Sequence, residues 1–197
     1  MTVMPLPESE AESIHLLTIA EYAALGETEH GYTELVEGRL IMSPSPAFRH
    51  NRAMVRLCTQ LTEQLPPDLE LILELDVNLE LAPADEPGSS RRPDLMIVRQ
   101  EVGDRLTAEG GLLPASEVLL AVEIVSPSSK RIDHRHKRDD YADAGIPNYW
   151  IIDVDEPISL IECRLTEDFG YQDNQIATGT FRTDVPFPVE INLDRLV

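Results

Sequence analysis

The 197-residue sequence predicts an α/β (α+β) domain in which a mixed β-sheet is flanked by helices. Three features support this prediction: short apolar runs typical of strands, amphipathic segments typical of helices, and a chain order in which strands precede a helix and a further strand. The apolar fraction of 42% and the charged fraction of 26% are ordinary for a globular protein. We expect one domain over residues 16–197, preceded by a flexible arm over residues 1–15 that is rich in Pro, Glu and Ser.

The first third of the sequence predicts two helices and a hairpin. Thr18 and Glu21 have the spacing of a capping box, which predicts a short helix that ends near Gly26. Two apolar segments around a Glu-Gly pair predict a hairpin over residues 32–42. From residue 47 to 65, apolar side chains recur every three or four positions, which predicts an amphipathic helix.

The central part of the sequence supplies most strands of the predicted sheet. Residues 69–81 alternate between apolar and polar side chains, which predicts one long strand with a solvated face. Residues 94–98 and 118–125 predict two more strands, and the nearly continuous apolar character of the second favours a central position in the sheet. Residues 133–144 predict a helix with the aspartate at its start as N-cap, and residues 148–154 a further strand.

The charge of the chain restricts the classes of function. A net charge of −20, from 36 acidic and 16 basic residues, argues against a protein that coats nucleic acid with its whole surface. Five of the sixteen basic residues nevertheless lie within residues 130–138, so the chain carries one local basic segment. There is no apolar run of the roughly 18 residues that a membrane helix needs and no signal-peptide pattern, so we expect a cytoplasmic protein without membrane contact. Cys58 and Cys163 are isolated, which favours neither a zinc site nor a disulfide framework.

Two acidic residues interrupt apolar runs of the predicted sheet. Asp94 follows Arg-Arg-Pro at the start of one strand, and Glu123 lies inside the apolar run of the next strand. An ionised carboxylate in such a run is costly unless a positive charge neutralises it. A divalent cation between the two carboxylates would meet this requirement, whereas the structural alternative is an ion pair between Glu123 and a helix.

A lysine on the helix that follows these strands is a third candidate. Lys137 lies on one helical stripe with Tyr141 and Ala144, and the tyrosine and alanine are expected to face the sheet. A lysine on that stripe would neutralise the carboxylates or orient a water molecule. A lysine that extends to the surface fits the same spacing equally well. Arg135 is expected to point into solvent.

Longer patterns in the chain resemble the Uma2 family of restriction-endonuclease-like proteins. The central pattern, over residues 123–153, reads Glu-Ile-Val-Ser-Pro-Ser, then Asp-x-x-x-Lys-x-x-x-Tyr-Ala-x-Ala-Gly-Ile-Pro-x-Tyr-Trp-Ile-Ile-Asp. It is preceded by Tyr-x-Glu34-Leu-Val-x-Gly, by Met-Ser-Pro before His50, and by Pro-Asp94. The resemblance covers the chain from residue 18 onward. It implies the PD-(D/E)xK nuclease fold, a restriction-endonuclease-like mixed sheet in which a Pro-Asp acid and a second acid bind Mg²⁺ or a similar ion such as Mn²⁺.

This resemblance implies a Mg²⁺-dependent endonuclease that hydrolyses phosphodiester bonds of DNA. It implies a catalytic set of two metal ligands, a lysine that orients water or stabilises charge on the phosphate, and a supporting glutamate: Asp94, Glu123, Lys137 and Glu34. Three further residues are weaker candidates for contact with the substrate: His50, Lys130 and Arg131. Cleavage of both DNA strands would favour a homodimer.

One position departs from the superfamily pattern. Two residues after Glu123, where a strand lysine usually stands, this chain has Val125. The resemblance implies that Lys137, on the following helix, takes the place of that lysine. The missing strand lysine and the net charge of −20 leave two alternatives open. One is a catalytically inactive module of the same fold that acts in DNA or protein binding, and the other is an unrelated acidic protein whose two buried acids are structural.

Overall fold

The computed structural model describes residues 15–26, 32–42, 46–125 and 132–197, with side chains described from residue 135 onward in the last range. Four helices lie in this part of the chain: α1 (Ile19–Leu25), α2 (Phe48–Thr62), α3 (Gln100–Glu109) and α4 (Ile132–Asp143). The strands of its first half are β1 (Thr33–Val36), β2 (Arg39–Met42), β3 (Leu69–Leu73), β4 (Val77–Asn78), β5 (Ser90–Arg91) and β6 (Leu95–Arg99). Those of its second half are β7 (Leu113–Pro114), β8 (Val118–Val125), β9 (Asn148–Asp153), β10 (Ser159–Thr166), β11 (Gly170–Thr178), β12 (Thr180–Thr183) and β13 (Val189–Asn192).

The strands form two larger sheets and one two-stranded sheet. The six-stranded sheet has the order β11-β10-β9-β8-β6-β3, in which β8 and β9 are parallel and the other neighbours are antiparallel. The five-stranded sheet has the order β2-β1-β5-β4-β7, and β12 pairs with β13. Mixed sheets with flanking helices confirm the predicted fold class, and the central position predicted for β8 is also confirmed.

Apolar cores lie on both faces of the six-stranded sheet. Leu120, Val122 and Ile124 of β8 belong to a core that also contains the buried residues of α2, whereas Ala121 belongs to a core that contains residues of α3 and α4. Because side chains alternate along a strand, Glu123 lies on the face of Ala121, beneath α4. The alternation of β8 therefore directs this glutamate towards the helix that carries Lys137.

Several local predictions are confirmed by the structure. Thr18 caps α1, and its side chain and that of Glu21 form both hydrogen bonds of a capping box. The hairpin turns at Glu37 and Gly38, which both have positive φ (47° and 76°), the geometry of a tight primed turn. A Cβ atom on Gly38 would lie 2.7 Å from the Cβ atom of Leu16, so glycine is required there for space as well as for conformation.

Residues 69–81 form two strands, so the prediction of one long strand is wrong. β3 lies at the edge of the six-stranded sheet, and β4 belongs to the five-stranded sheet. The chain passes from one sheet to the other at Glu74, which has φ of 47°. Asp76, just beyond, accepts two hydrogen bonds from Arg92 at 2.7 and 2.8 Å. Leu69 and Leu71 of β3 are partly buried against the core that contains α2, whereas Val77 of β4 is buried in the core that contains residues of α3 and α4.

Two other details differ from the sequence prediction. Helix α3 was not predicted: it begins directly after β6 without a side-chain cap, and Val102 is its one buried residue. Asp133, the predicted N-cap of α4, stands inside the helix, which includes Ile132. Within the described ranges, no helix is long and apolar enough to cross a membrane.

Candidate active site

Four carboxylates and two basic side chains lie together where the two larger sheets approach each other. Glu34 comes from β1, Glu123 from β8 and Asp140 from α4, and Asp94 immediately precedes β6. Arg91 of β5 and Lys137 of α4 pair with three of them, Glu34, Glu123 and Asp140, whereas Asp94 pairs with His50.

Lys137 links the two sheets through their glutamates. Its Nζ atom lies 3.0 Å from Oε1 of Glu123 and 3.0 Å from Oε1 of Glu34, and the residue is only 7% exposed. The prediction that this lysine faces the sheet is therefore confirmed, as is the exposure of Arg135. The chain has two lysines against fourteen arginines, and one of those two occupies this buried position.

Glu123 is held by a second donor from the same helix. The hydroxyl of Tyr141, one turn after Lys137, donates to Oε1 of Glu123 at 2.8 Å. Burial raises the pKa of Glu123 to about 8, because the loss of hydration, aided by the negative charges of Asp94 and Glu34, outweighs the positive charge of Lys137. The carboxylate is therefore oriented by two donors but lacks full charge compensation.

Asp94 is fixed by the strand next to it and by α2. Its Oδ2 atom accepts a hydrogen bond of 2.6 Å from the backbone N–H of Ile124, the residue after Glu123. The same oxygen lies 3.1 Å from Nε2 of His50, in the first turn of α2. Burial alone would lower the pKa of His50, but the hydrogen bond and the charge of Asp94 outweigh it and raise that pKa. The structure thus places Asp94 beside Glu123, with the imidazole of His50 against it.

Arg91 is a residue of this site that the sequence reasoning missed. Its guanidinium is buried and donates to Oε2 of Glu34 at 2.8 Å and to Oδ2 of Asp140 at 2.7 Å. The backbone N–H of Arg92 donates to the other oxygen of Glu34. Burial would raise the pKa of Glu34, but the charges of Lys137 and Arg91 outweigh it and lower that pKa. One signal for this role was present: two arginines stand directly before the Pro-Asp dipeptide of a strongly acidic chain.

The basic segment that the sequence indicated is partly used for internal contacts. Lys130 and Arg131 lie outside the described residues. Lys137 is committed to the two glutamates, and Arg138 pairs with Asp173 at 2.6 Å. Lys137 and Arg138 therefore both make ion pairs within the protein.

The donor chemistry of the site fits a hard divalent cation. Around this point, four carboxyl groups (Glu34, Asp94, Glu123 and Asp140) lie against Lys137, Arg91 and His50. No group of three or more His, Cys, Asp or Glu side chains there is arranged to hold a metal ion. If a metal ion binds here, the neighbouring carboxylates of Asp94 and Glu123 would be its side-chain ligands. Mg²⁺ is commonly bound by one or two carboxylates while water and substrate phosphate fill its other positions.

Comparison with known proteins identifies a matching family and a similar fold. The model of the Uma2 family, described as "Putative restriction endonuclease", matches residues 19–194. A crystal structure of a putative nuclease belonging to DUF820, from Anabaena variabilis, is similar over 91% of this chain and 97% of that chain, with a TM-score of 0.67 and 20% sequence identity. At that identity the likeness concerns the fold alone. The search of curated proteins gives no match.

Proposed function

The chain belongs to the Uma2 family of putative restriction endonucleases, and we propose that it is a metal-dependent endonuclease that hydrolyses phosphodiester bonds of DNA. One observation carries the proposal: the ammonium group of Lys137 lies 3.0 Å from Glu123, while Asp94 is hydrogen-bonded to the backbone beside that glutamate. Two acids and an amine in one buried cluster are suited to phosphoryl transfer, in which positioning and charge stabilisation dominate.

Each residue has a distinct role in this proposal. Asp94 and Glu123 would hold Mg²⁺ or Mn²⁺, which when bound polarises a phosphoryl oxygen and lowers the pKa of a water ligand. The ammonium group of Lys137 would donate a hydrogen bond to the attacking water or to the phosphate. Glu34 accepts from three donors on Lys137, Arg91 and the backbone of Arg92, so it would position the lysine rather than bind metal.

The position of Lys137 also bears on the missing strand lysine. Val125 lies on the same face of β8 as Glu123 and is buried, so no amine comes from that position. The helix supplies an amine to the same carboxylate instead. The amine that the motif requires beside the second acid is therefore present, although it comes from the helix.

Conversion of supercoiled plasmid DNA to nicked or linear forms tests the proposal. Wild type and the variants Asp94→Asn and Asp104→Asn are each incubated with Mg²⁺, with Mn²⁺ or with EDTA. Asp104→Asn is the control, because it makes the same chemical change at an exposed position on α3. We expect metal-dependent cleavage by wild type and by Asp104→Asn. The cleavage rate of Asp94→Asn should be at least about 100-fold lower, which is the usual decrease in rate when a charge-stabilising group is removed.

Two results would overturn the proposal. Equal cleavage by wild type and Asp94→Asn would assign the activity to a contaminant or to other residues. Binding of DNA by the wild type without cleavage in either metal would instead indicate an inactive DNA-binding module of this fold. Calorimetric titration with Mn²⁺ adds an independent measurement, because binding should be lost in Glu123→Gln.

A further inference from the structure

Helix α2 differs in charge from the rest of the chain. Its fifteen residues include Arg49, Arg52, Arg56 and His50 but no aspartate or glutamate, although the chain as a whole has 36 acidic residues. A helix of this charge on an acidic protein presents a local positive potential. The helix also lies next to the candidate active site, because the imidazole of His50 lies 3.1 Å from Oδ2 of Asp94. The positive helix therefore begins directly at the candidate active site.

The side chains around His50 are directed outwards and have few internal partners. Phe48 is 78% exposed, and the guanidinium carbon of Arg52 lies 5.6 Å from the centre of its ring. Asn51 and Arg52 are exposed. Arg49 is half-buried, and its ion pair with Glu156 is 3.9 Å long and mostly exposed, so it contributes little to stability.

The third arginine of the helix has a different role. Arg56 donates to the backbone carbonyls of Arg195 and Val197 and so holds the end of the described chain against α2. It is engaged within the protein, whereas Arg49 and Arg52 lie three residues apart on neighbouring positions of the first two turns. The side chains that can reach a ligand are therefore concentrated at the end of α2 that carries His50.

We propose that the α2 surface, formed by Phe48, Arg49, Asn51 and Arg52, binds the phosphodiester backbone of a nucleic acid and delivers it to the acids beside His50. This inference rests on the proposed function and names the residues that hold the substrate. Charge complementarity carries it, because phosphates are attracted to arginine forks and the rest of a chain of net charge −20 repels them. The ring of Phe48 adds an apolar face that a base or sugar can contact.

The surface also explains how an acidic protein can approach DNA at all. Backbone binding is driven by release of counterions from the phosphates that Lys and Arg neutralise. Two arginines in the first two turns of the helix whose His50 contacts Asp94 would provide such contacts without requiring a basic body. We therefore expect weak, strongly salt-dependent binding that depends on these two side chains.

The test measures the fluorescence anisotropy of a short labelled duplex titrated with full-length protein that carries Asp94→Asn, so that the duplex is not cut. In that background, Arg49→Ala, Arg52→Ala and the double variant are compared with Arg182→Ala, which removes an exposed arginine from β12. Alanine preserves the helix, and the fluorescence of Trp150 verifies folding. We expect the double variant to bind about 10-fold more weakly at low salt, and the slope of log K against log[salt] to fall by about 1.8, or about 0.9 per lost phosphate contact.

Cleavage kinetics with the catalytic residues intact give a second measurement. The double variant should raise KM for plasmid DNA while kcat stays within about twofold of wild type, because it removes binding made equally in ground and transition states. A loss of kcat without a change in KM would overturn the inference.

The possible failures are distinguishable. Cleavage by wild type with unchanged salt slope and KM in the double variant overturns the α2 surface but leaves the nuclease proposal intact. Salt-dependent binding that is lost in the double variant, in a wild type that never cleaves DNA, supports the α2 surface and overturns the nuclease proposal. If wild type binds no DNA under any condition, both fail.

Discussion

Replacing Lys137 by methionine should destabilise the protein strongly. The change leaves the buried carboxylates of Glu123 and Glu34 without the ammonium group that lies 3.0 Å from each. Removal of one partner from a buried ion pair costs about 3–5 kcal/mol. Two features of the site reduce this cost: Arg91 still pairs with Glu34, and Glu123, whose pKa is already raised, can take up a proton. We therefore expect a loss of about 3 kcal/mol in the free energy of unfolding at pH 9, where the Glu123 carboxyl is ionised in the wild type.

Urea unfolding followed by the fluorescence of Trp150 measures this change. This residue is the single tryptophan of the chain, is fully buried and packs edge-on against Phe181. An unchanged m-value would show that the variant alters stability rather than the extent of unfolding. The control is the double variant Lys137→Met with Glu123→Gln, which removes a buried charge together with its partner and should recover more than half of the loss.

Two results would refute this reasoning. A Lys137→Met variant within about 0.5 kcal/mol of wild type, the range of ordinary surface substitutions, would mean that the amine does not compensate buried charge. A double variant no more stable than the single one would mean that the cost arises from lost packing of the lysine side chain instead of from the unpaired carboxylate.

Two further predictions concern Glu123. Tyr141→Phe removes the 2.8 Å hydrogen bond to this carboxylate and should lower the free energy of unfolding by about 1.5–3 kcal/mol in the same urea titration. The control, Tyr171→Phe, loses a hydrogen bond to the carbonyl of Ile146 and should lower the free energy of unfolding by less. A larger loss in Tyr171→Phe than in Tyr141→Phe would contradict this prediction. Without divalent cations, the raised pKa of Glu123 means that its contribution to stability is complete below its ordinary value of 4.5 and is lost as the pH rises to about 8. Between pH 5 and 8 in EDTA, the melting temperature of wild type should therefore fall more than that of Glu123→Gln. An equal fall in the two proteins would contradict this prediction.

Local sequence patterns predict those elements whose stability comes from one amphipathic face. Helix α2 buries Ala53, Leu57 and Leu61 at helical spacing, and the sequence shows that spacing directly. Helix α3 was missed because it has ten residues and one buried side chain, Val102, which is too weak a periodic signal. The bend at Glu74 was missed because alternation is a property of each strand and carries no information on the sheet to which a strand belongs.

In the candidate site, too, the sequence reveals local patterns but not contacts between distant residues. The acids are visible in the sequence because each is an exception within an apolar run, and Lys137 is visible because it shares a stripe with Tyr141. The contacts of Arg91 with Glu34 and Asp140 join residues 57 and 49 positions apart, and no local pattern reports pairs at such separations. The sequence thus identified the residues that are locally anomalous and missed a buried cation whose partners are set by the tertiary fold.

The contacts of Lys137 also determine which variant can decide between an active nuclease and an inactive module. Because its ammonium group joins Glu34 of one sheet to Glu123 of the other, a chain that had lost catalysis would still retain the lysine for stability. A loss of cleavage in a Lys137 variant would therefore not separate chemistry from folding. Asp94 is half-buried just before β6. In Asp94→Asn, the side-chain amide would still offer a hydrogen-bonding group to Ile124 and His50, the two partners of Asp94. That variant changes the charge offered to a metal ion while preserving the shape of the side chain, which makes its cleavage rate the decisive measurement.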